Sequence, residues 1–206
     1  MSSHQQDPSV GDEELRPTQT EGYKVGEKKT VEEYAQLDAN DESLARWKAS
    51  LGIGAGEGGA GDPSKPKLAL HSLSLVSASA PGGRVSINLE QGKEQLEALK
   101  KNPLTVKEGV DYQVSISFTV GSEVLSGLKY LHVVKRAGIT VDKLEEMIGS
   151  YGPRAEPYEK RFAQEEAPSG MLARGGTNVV RSRVIDDDGT VYADWTWAFK
   201  IAKDWA

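Results

Sequence analysis

The chain contains no cysteine, which excludes a disulfide framework, thiolate catalysis and cysteine-built metal centres. It also lacks any run of about 18 apolar residues, so no helix is expected to cross a membrane. Its three histidines, His4, His71 and His132, are scattered, and no HExxH, P-loop, GxGxxG or GxSxG pattern occurs. Residues 52–61 are glycine-rich, but no Lys-Ser/Thr follows and no strand precedes them, so they do not read as a phosphate cradle. The opening MSSHQQDPSVGDEEL lacks the basic and apolar regions of a signal peptide, which sets the expectation of an intracellular protein. Hydrophobic residues make up 37% of 206, a low share that places part of the chain outside any core.

Charge divides the chain unevenly. Residues 1–66 hold 7 Lys/Arg against 13 Asp/Glu, whereas residues 67–206 hold 18 of each, so the net charge of −6 sits entirely in the first third. An acidic arm on a neutral body argues against nucleic acid, which needs a basic patch. Such an arm serves either as a solubilising tail or as an attractor for a basic partner surface.

Residues 1–27 are polar and aperiodic and are expected to be disordered. Residues 28–51 carry two short helical signals. Thr30 and Glu33 make a capping-box pair with Val31, Tyr34 and Leu37 on one side. Asn40 or Asp41 caps a second helix in which Leu44, Trp47 and Leu51 recur at helical spacing before Gly52 stops it. Helices this short do not persist alone in water, so their apolar stripe must dock on the body or on a partner. Residues 52–66 read as a glycine-rich tether.

From residue 67 the period changes to two. Leu68 and Leu70 alternate, and the phase slips before Leu73 and Leu75, as at a bulge. Val85, Ile87 and Leu89 alternate next. Val110, Tyr112, Val114, Ile116, Phe118 and Val120 share one face of the clearest strand. A strand over 124–135 bends near Gly127. Residues 177–185 and 191–201 flank a hairpin signal at 186–189. Trp195 and Trp197 share the inward face of the last strand. Short strands with turn signals and little helix point to an all-β antiparallel sandwich over residues 67–206. Its apolar face either fills a solid core or leaves a cavity open, and alternation alone fits both. The run Asp186, Asp187, Asp188 reads as solvated turn chemistry, as an arginine-docking patch or, least well, as a cation site.

The segments LDANDESLARWK (37–48), LTVKEGVDY (104–112), SGLKYLHVV (126–134), IGSYGPRAEPYE (148–159), EEAPSGMLARG (165–175), SRVIDDDG (182–189) and WTWAFKIAKDW (195–205) resemble, in order and spacing, the Rho GDP-dissociation inhibitors. The resemblance runs from about residue 28 to 206, and its GSYGPRAE and EEAPSGMLARG stretches are highly specific. It implies an immunoglobulin-like β-sandwich preceded by a flexible arm with a short helical hairpin, and no catalysis, cofactor or metal. It implies a cytosolic monomer that forms a 1:1 complex with a GDP-bound, geranylgeranylated Rho- or Rac-type GTPase, without nucleic acid or stable membrane insertion. The lipid would enter a pocket built from Leu75, Leu104, Tyr112, Val124 and Trp197, with Trp195 adjacent. The switch regions would meet Asp41, Leu44, Trp47 and Leu51 on the arm and Asp187 and Asp188 on the body. Leu104, Thr196 and Trp47 depart from the residues common at these places in the family and bear on GTPase preference. The alternatives are a general prenyl-cargo carrier, a hydrolase built on Asp186–Asp188 and a structural module with a filled core.

Overall fold

Among the described residues, alternating side chains of nine strands pack two sheets against each other around a shared hydrophobic core. The computed structural model describes residues 11–18, 33, 41–50 and 61–206. In chain order the strands are β1 (Leu68–Val76), β2 (Arg84–Asn88), β3 (Leu104–Lys107), β4 (Asp111–Val120), β5 (Leu125–Arg136), β6 (Ile139–Tyr151), β7 (Tyr158–Glu166), β8 (Asn178–Ile185) and β9 (Val191–Ala202). One sheet has the order β2-β1-β4-β7 and the other β3-β9-β8-β5-β6. A six-residue helix, Lys93–Ala98, follows β2.

The all-β sandwich holds, with one departure from antiparallel pairing. Strand β3 runs parallel to β9, with Leu104 opposite Phe199. It follows β2, in the other sheet, and so joins the edge beside β9 by a crossover that includes the short helix rather than by a hairpin. The expected slip in β1 is a register shift between Leu70 and Ser72. The bend in β5 is a shift between Leu125 and Leu128. Gly127 sits there at φ +65°, and a Cβ would run into the Asp187 carboxylate. Both conditions call for glycine.

Motif GSYGPRAE carries the chain from one sheet to the other between β6 and β7. The Arg154 guanidinium lies 3.5 Å from the centre of the Tyr158 ring and donates to the Glu156 and Pro157 carbonyls. Tyr158 donates through its hydroxyl to the Gly152 carbonyl. The rings of Phe118, Tyr151 and Tyr158 pack beneath at 4.6 to 5.6 Å.

On the arm, helix α1 (Glu42–Ser50) begins where the sequence places it. Asp41 Oδ1 accepts from the Ser43 and Leu44 amides at 2.8 and 3.1 Å, an N-cap that satisfies two of the orphan donors. Trp47 falls within this helix. Leu51 and, apart from Glu33, the first expected helix lie outside the described residues. Two boundaries differ from the sequence reading. Residues 61–66, assigned to the tether, already belong to the body, since the Asp62 amide donates to the Gly121 carbonyl at 2.9 Å. Residues 11–18, assigned to the disordered tail, form a 3-10 turn at Asp12–Leu15 packed on the outer face of the five-stranded sheet. A buried leucine and several charged hydrogen bonds hold this stretch, a pattern that carries no periodicity.

Candidate functional site

The two sheets part at the end where β5 finishes and β8 begins, enclosing a cavity of about 380 Å³. Its walls are mostly apolar because each strand sends alternate side chains inward. Val134, Val180 and Trp197 form one row across β5, β8 and β9, directly opposite one another in register. Leu75 and Val114, cross-strand partners on the other sheet, face them. Further inward, Tyr130, Phe162 and Trp195 pack together, with Tyr130 stacked on Phe162 at 4.8 Å and 6.2 Å from Trp195.

Buried polar groups fix the shape. Ser182, fully buried, accepts from the Trp197 indole at 3.0 Å and pairs with the Tyr130 hydroxyl at 2.9 Å. The indole plane is thereby set against the cavity. Burial holds the Tyr130 phenol well above its usual pKa, so it stays neutral. His132 lines the wall with Nδ1 3.4 Å from the Tyr130 hydroxyl and Nε2 3.6 Å from Asp142 Oδ2.

The rim is built by two sequence motifs that meet there. From EEAPSGMLARG, Glu165 accepts from the Tyr112 hydroxyl at 2.6 Å, and Arg174 pairs with Glu108 of the LTVKEGVDY stretch at 2.5 Å. Backbone bonds join Gly109 to Ala167 and Ala167 to Val110. Burial first, then the Glu165 carboxylate, raises the Tyr112 pKa far above that of a free phenol. Arg136 reaches over the same end, donating to Asn178 Oδ1 at 2.9 Å and to the carbonyls of Leu172 and Ala173. The turn thus fixed leaves Met171 and Leu172 exposed at its tip. Asp142, Glu165 and Glu166 give the mouth an acidic lining.

Of the residues expected to form the pocket, the structure puts Leu75, Tyr112 and Trp197 on the cavity wall. Trp195 lies one layer deeper, against Tyr130. Leu104 packs at the core's margin in β3 rather than on the wall. Val124 stands in the turn before β5, at the opposite end of the sandwich. These three came to the pocket through the resemblance alone; alternation along a strand identifies a face but not a depth, so it could not place them. His132, Ser182 and Val180, missed in the sequence, are contributors whose inward phase on β5 and β8 was readable.

The acidic run sits at that opposite end, where the β8–β9 hairpin turns. Asp186 is buried and organises the turn: it accepts from the Asp188 and Thr190 amides through Oδ1 and from the Tyr192 hydroxyl through Oδ2 at 2.7 Å. Asp187 pairs with Lys129 at 3.0 Å, and Asp188 is exposed. Asp186 is thus turn chemistry, but from a buried carboxylate rather than a solvated one, while Asp187 is partly exposed and Asp188 faces solvent. No group of three or more His, Asp or Glu arranged to hold a metal occurs among the described residues. Nor is any described helix long and apolar enough to cross a membrane.

The family model described as RHO protein GDP dissociation inhibitor matches residues 8–204. The chain is 44% identical over 183 residues to Rho GDP-dissociation inhibitor 1 of Homo sapiens, covering 89% of this chain and 86% of that one. It is 42% identical over 182 residues to the Rho GDP-dissociation inhibitor of Schizosaccharomyces pombe, covering 88% and 86%. Rho GDP-dissociation inhibitor 3 of Homo sapiens is 44% identical over 183 residues, covering 89% and 78%.

Proposed function

The chain belongs to the Rho protein GDP-dissociation inhibitor family, and from that premise we propose that it binds GDP-bound, geranylgeranylated Rho-type GTPases in the cytosol, buries their lipid and slows GDP release. The observation that carries the lipid half of this reading is the cavity with its apolar walls. A buried methylene is worth about 0.8 kcal/mol, so an isoprenoid of roughly 20 carbons carries a gross transfer energy on the order of 10 kcal/mol. A bilayer offers about the same, so the protein competes only with a dry, apolar space of its own. The acidic mouth suits a positively charged peptide segment next to the lipid.

The second half rests on the arm and the hairpin. Asp41, Leu44, Trp47 and Leu51 are the arm residues we assign to the switch regions, with Asp187 and Asp188 on the body. Holding both switches shut favours the closed, GDP-bound state by differential affinity, with no covalent step. From Lys129, beside Asp187, to Arg136 at the cavity is seven residues of β5, or about 23 Å. One partner touching both ends must therefore send an extended lipid-bearing tail along the sandwich, which favours a GTPase with a C-terminal tail over a free isoprenoid.

The test is incubation with vesicles carrying geranylgeranylated Rho-type GTPases, following both GTPase in the supernatant and release of labelled GDP. Solubilisation together with slowed release is expected. Solubilisation with unchanged GDP release would instead make the chain a general carrier of prenylated cargo.

A further inference from the structure

The outer face of the five-stranded sheet carries an apolar patch that the proposed function does not use. Inward positions of β5 and β8 build the core, so their alternate positions should be polar. Instead Leu131, Val133 and Ile185 form a small buried apolar cluster on the outside, closed by Leu15 from the N-terminal segment. Leu15 is 0% exposed although its neighbours Glu13 and Arg16 face solvent.

Cations flank the cluster and meet the segment's acids. Asp12 Oδ1 accepts from Arg181 at 2.7 Å and from Arg183 at 2.8 Å, while both arginines also hold Asp194. Glu14 pairs with Lys135 at 2.7 Å and accepts from the Thr140 hydroxyl. Arg183, largely buried, donates to the Leu15 carbonyl. The far end closes with Thr18, whose amide and hydroxyl both donate to the Glu145 carboxylate at 2.8 to 3.1 Å. An apolar anchor, paired acids and backbone bonds at Leu15 and Thr18 together are the composition of a peptide-binding site rather than of a passing tail.

We propose that this patch and its flanking cations are an intramolecular anchor for residues 11–18, which turns the regulatory arm from a free-ended tether into a loop pinned at both ends. One end is the strap at Thr18; the other is Asp62, bonded to Gly121. Pinning confines the intervening residues, α1 among them, to a smaller volume around the body. The arm's effective concentration at a bound partner rises accordingly, and less ordering entropy opposes the clamp. The acidic excess of the first third thus has a use on the chain's own body, quite apart from attraction to a partner. The role of the loop rests on the proposed function; the anchoring does not.

The absence of native cysteine makes the test direct. A nitroxide on Gly11→Cys in the full chain should broaden the amide resonances of Leu131, Val133 and Ile185. Leu15→Asn, and separately Asp12→Lys with Glu14→Lys, should abolish that broadening and leave the core resonances in place. Since every substituted side chain lies on the outside of the sheet, loss of the fold is not the expected outcome. Absence of broadening in the labelled Gly11→Cys chain with no other substitution would overturn the anchor. In a GDP-release assay, Leu15→Asn should raise the concentration for half-maximal inhibition on the order of three- to tenfold. An unchanged or lower value would overturn the pinned loop. A chain that fails to slow GDP release at all would strike the proposed function, a result the broadening, read without any GTPase, is independent of.

Discussion

Replacing Val180 with phenylalanine asks whether the cavity is the lipid site without dismantling the sandwich. Val180 is the central member of the row Val134, Val180, Trp197 and lines the cavity. The substitution adds four carbons, which have the cavity to enter, so the overpacking cost should stay near the low end of about 1–3 kcal/mol. Those atoms take the place of about four methylenes of a guest. At about 0.8 kcal/mol each, the lipid-dependent part of affinity falls by roughly 3 kcal/mol, a factor of about 150. The assay is extraction of a geranylgeranylated Rho-type GTPase from vesicles, paired with binding of the same GTPase lacking its lipid. Extraction should fall by about that factor while unprenylated binding holds. Undiminished extraction by a variant of near wild-type melting temperature would refute the assignment of the cavity.

Four further expectations follow from single contacts. Ser182→Ala strands the Trp197 indole in the core and leaves the Tyr130 hydroxyl only its 3.4 Å contact with His132; it should cost about 1–3 kcal/mol in chemical denaturation and weaken extraction more than unprenylated binding. Gly127→Ala combines left-handed backbone strain with a clash against the carboxylate that holds Lys129, so the melting temperature should drop by several degrees, at about 2–4 °C per kcal/mol. Asp41→Ala removes the cap of α1, about 1 kcal/mol of helix stability, and should weaken inhibition of GDP release several-fold without affecting lipid capture. Docking of the 11–18 strap should respond to acid in a defined sense. Bonds from Arg183 first, and Arg181, lower the pKa of Asp12 from its ordinary 3.8, and a bond from Lys135 first lowers that of Glu14 from 4.5. Both carboxylates are thus held more strongly as anions when docked, so their contribution is complete above those ordinary values and is lost as pH falls through and below them. Nitroxide broadening at β5 and β8 should be constant near neutrality and decline only below about pH 4.5; a decline centred near pH 6.5 would implicate a histidine instead.

How much of this was legible depends on where polarity falls. Strands β4 and β9 alternate cleanly, since one side of each is core and the other is polar, and Val114, Ile116 and Phe118 were assigned to the right face. Strands β6 and β7 escaped the sequence reading. Both are edge strands, and their segments 142–146 and 159–161 carry the charges that keep edges from pairing with other chains. Their polarity looked like loop. The cavity was not legible, because a filled core and an open one require the same alternation. The strap was missed for a related reason: its hold depends on one leucine and on partners more than 110 residues away. The available signal lay in the receptor, where Leu131, Val133 and Ile185 are apolar on faces otherwise given to Lys129, Lys135, Arg181 and Arg183.

The most direct measurement is photocrosslinking with a GDP-bound Rho-type GTPase carrying a photoreactive geranylgeranyl analogue, followed by peptide mapping of the adducts. Adducts on cavity-wall strands, at or beside Leu75, Tyr112, Val180 and Trp197, are the predicted result. Adducts confined to the outer surface of either sheet, in a complex that still withdraws the GTPase from vesicles, would contradict it.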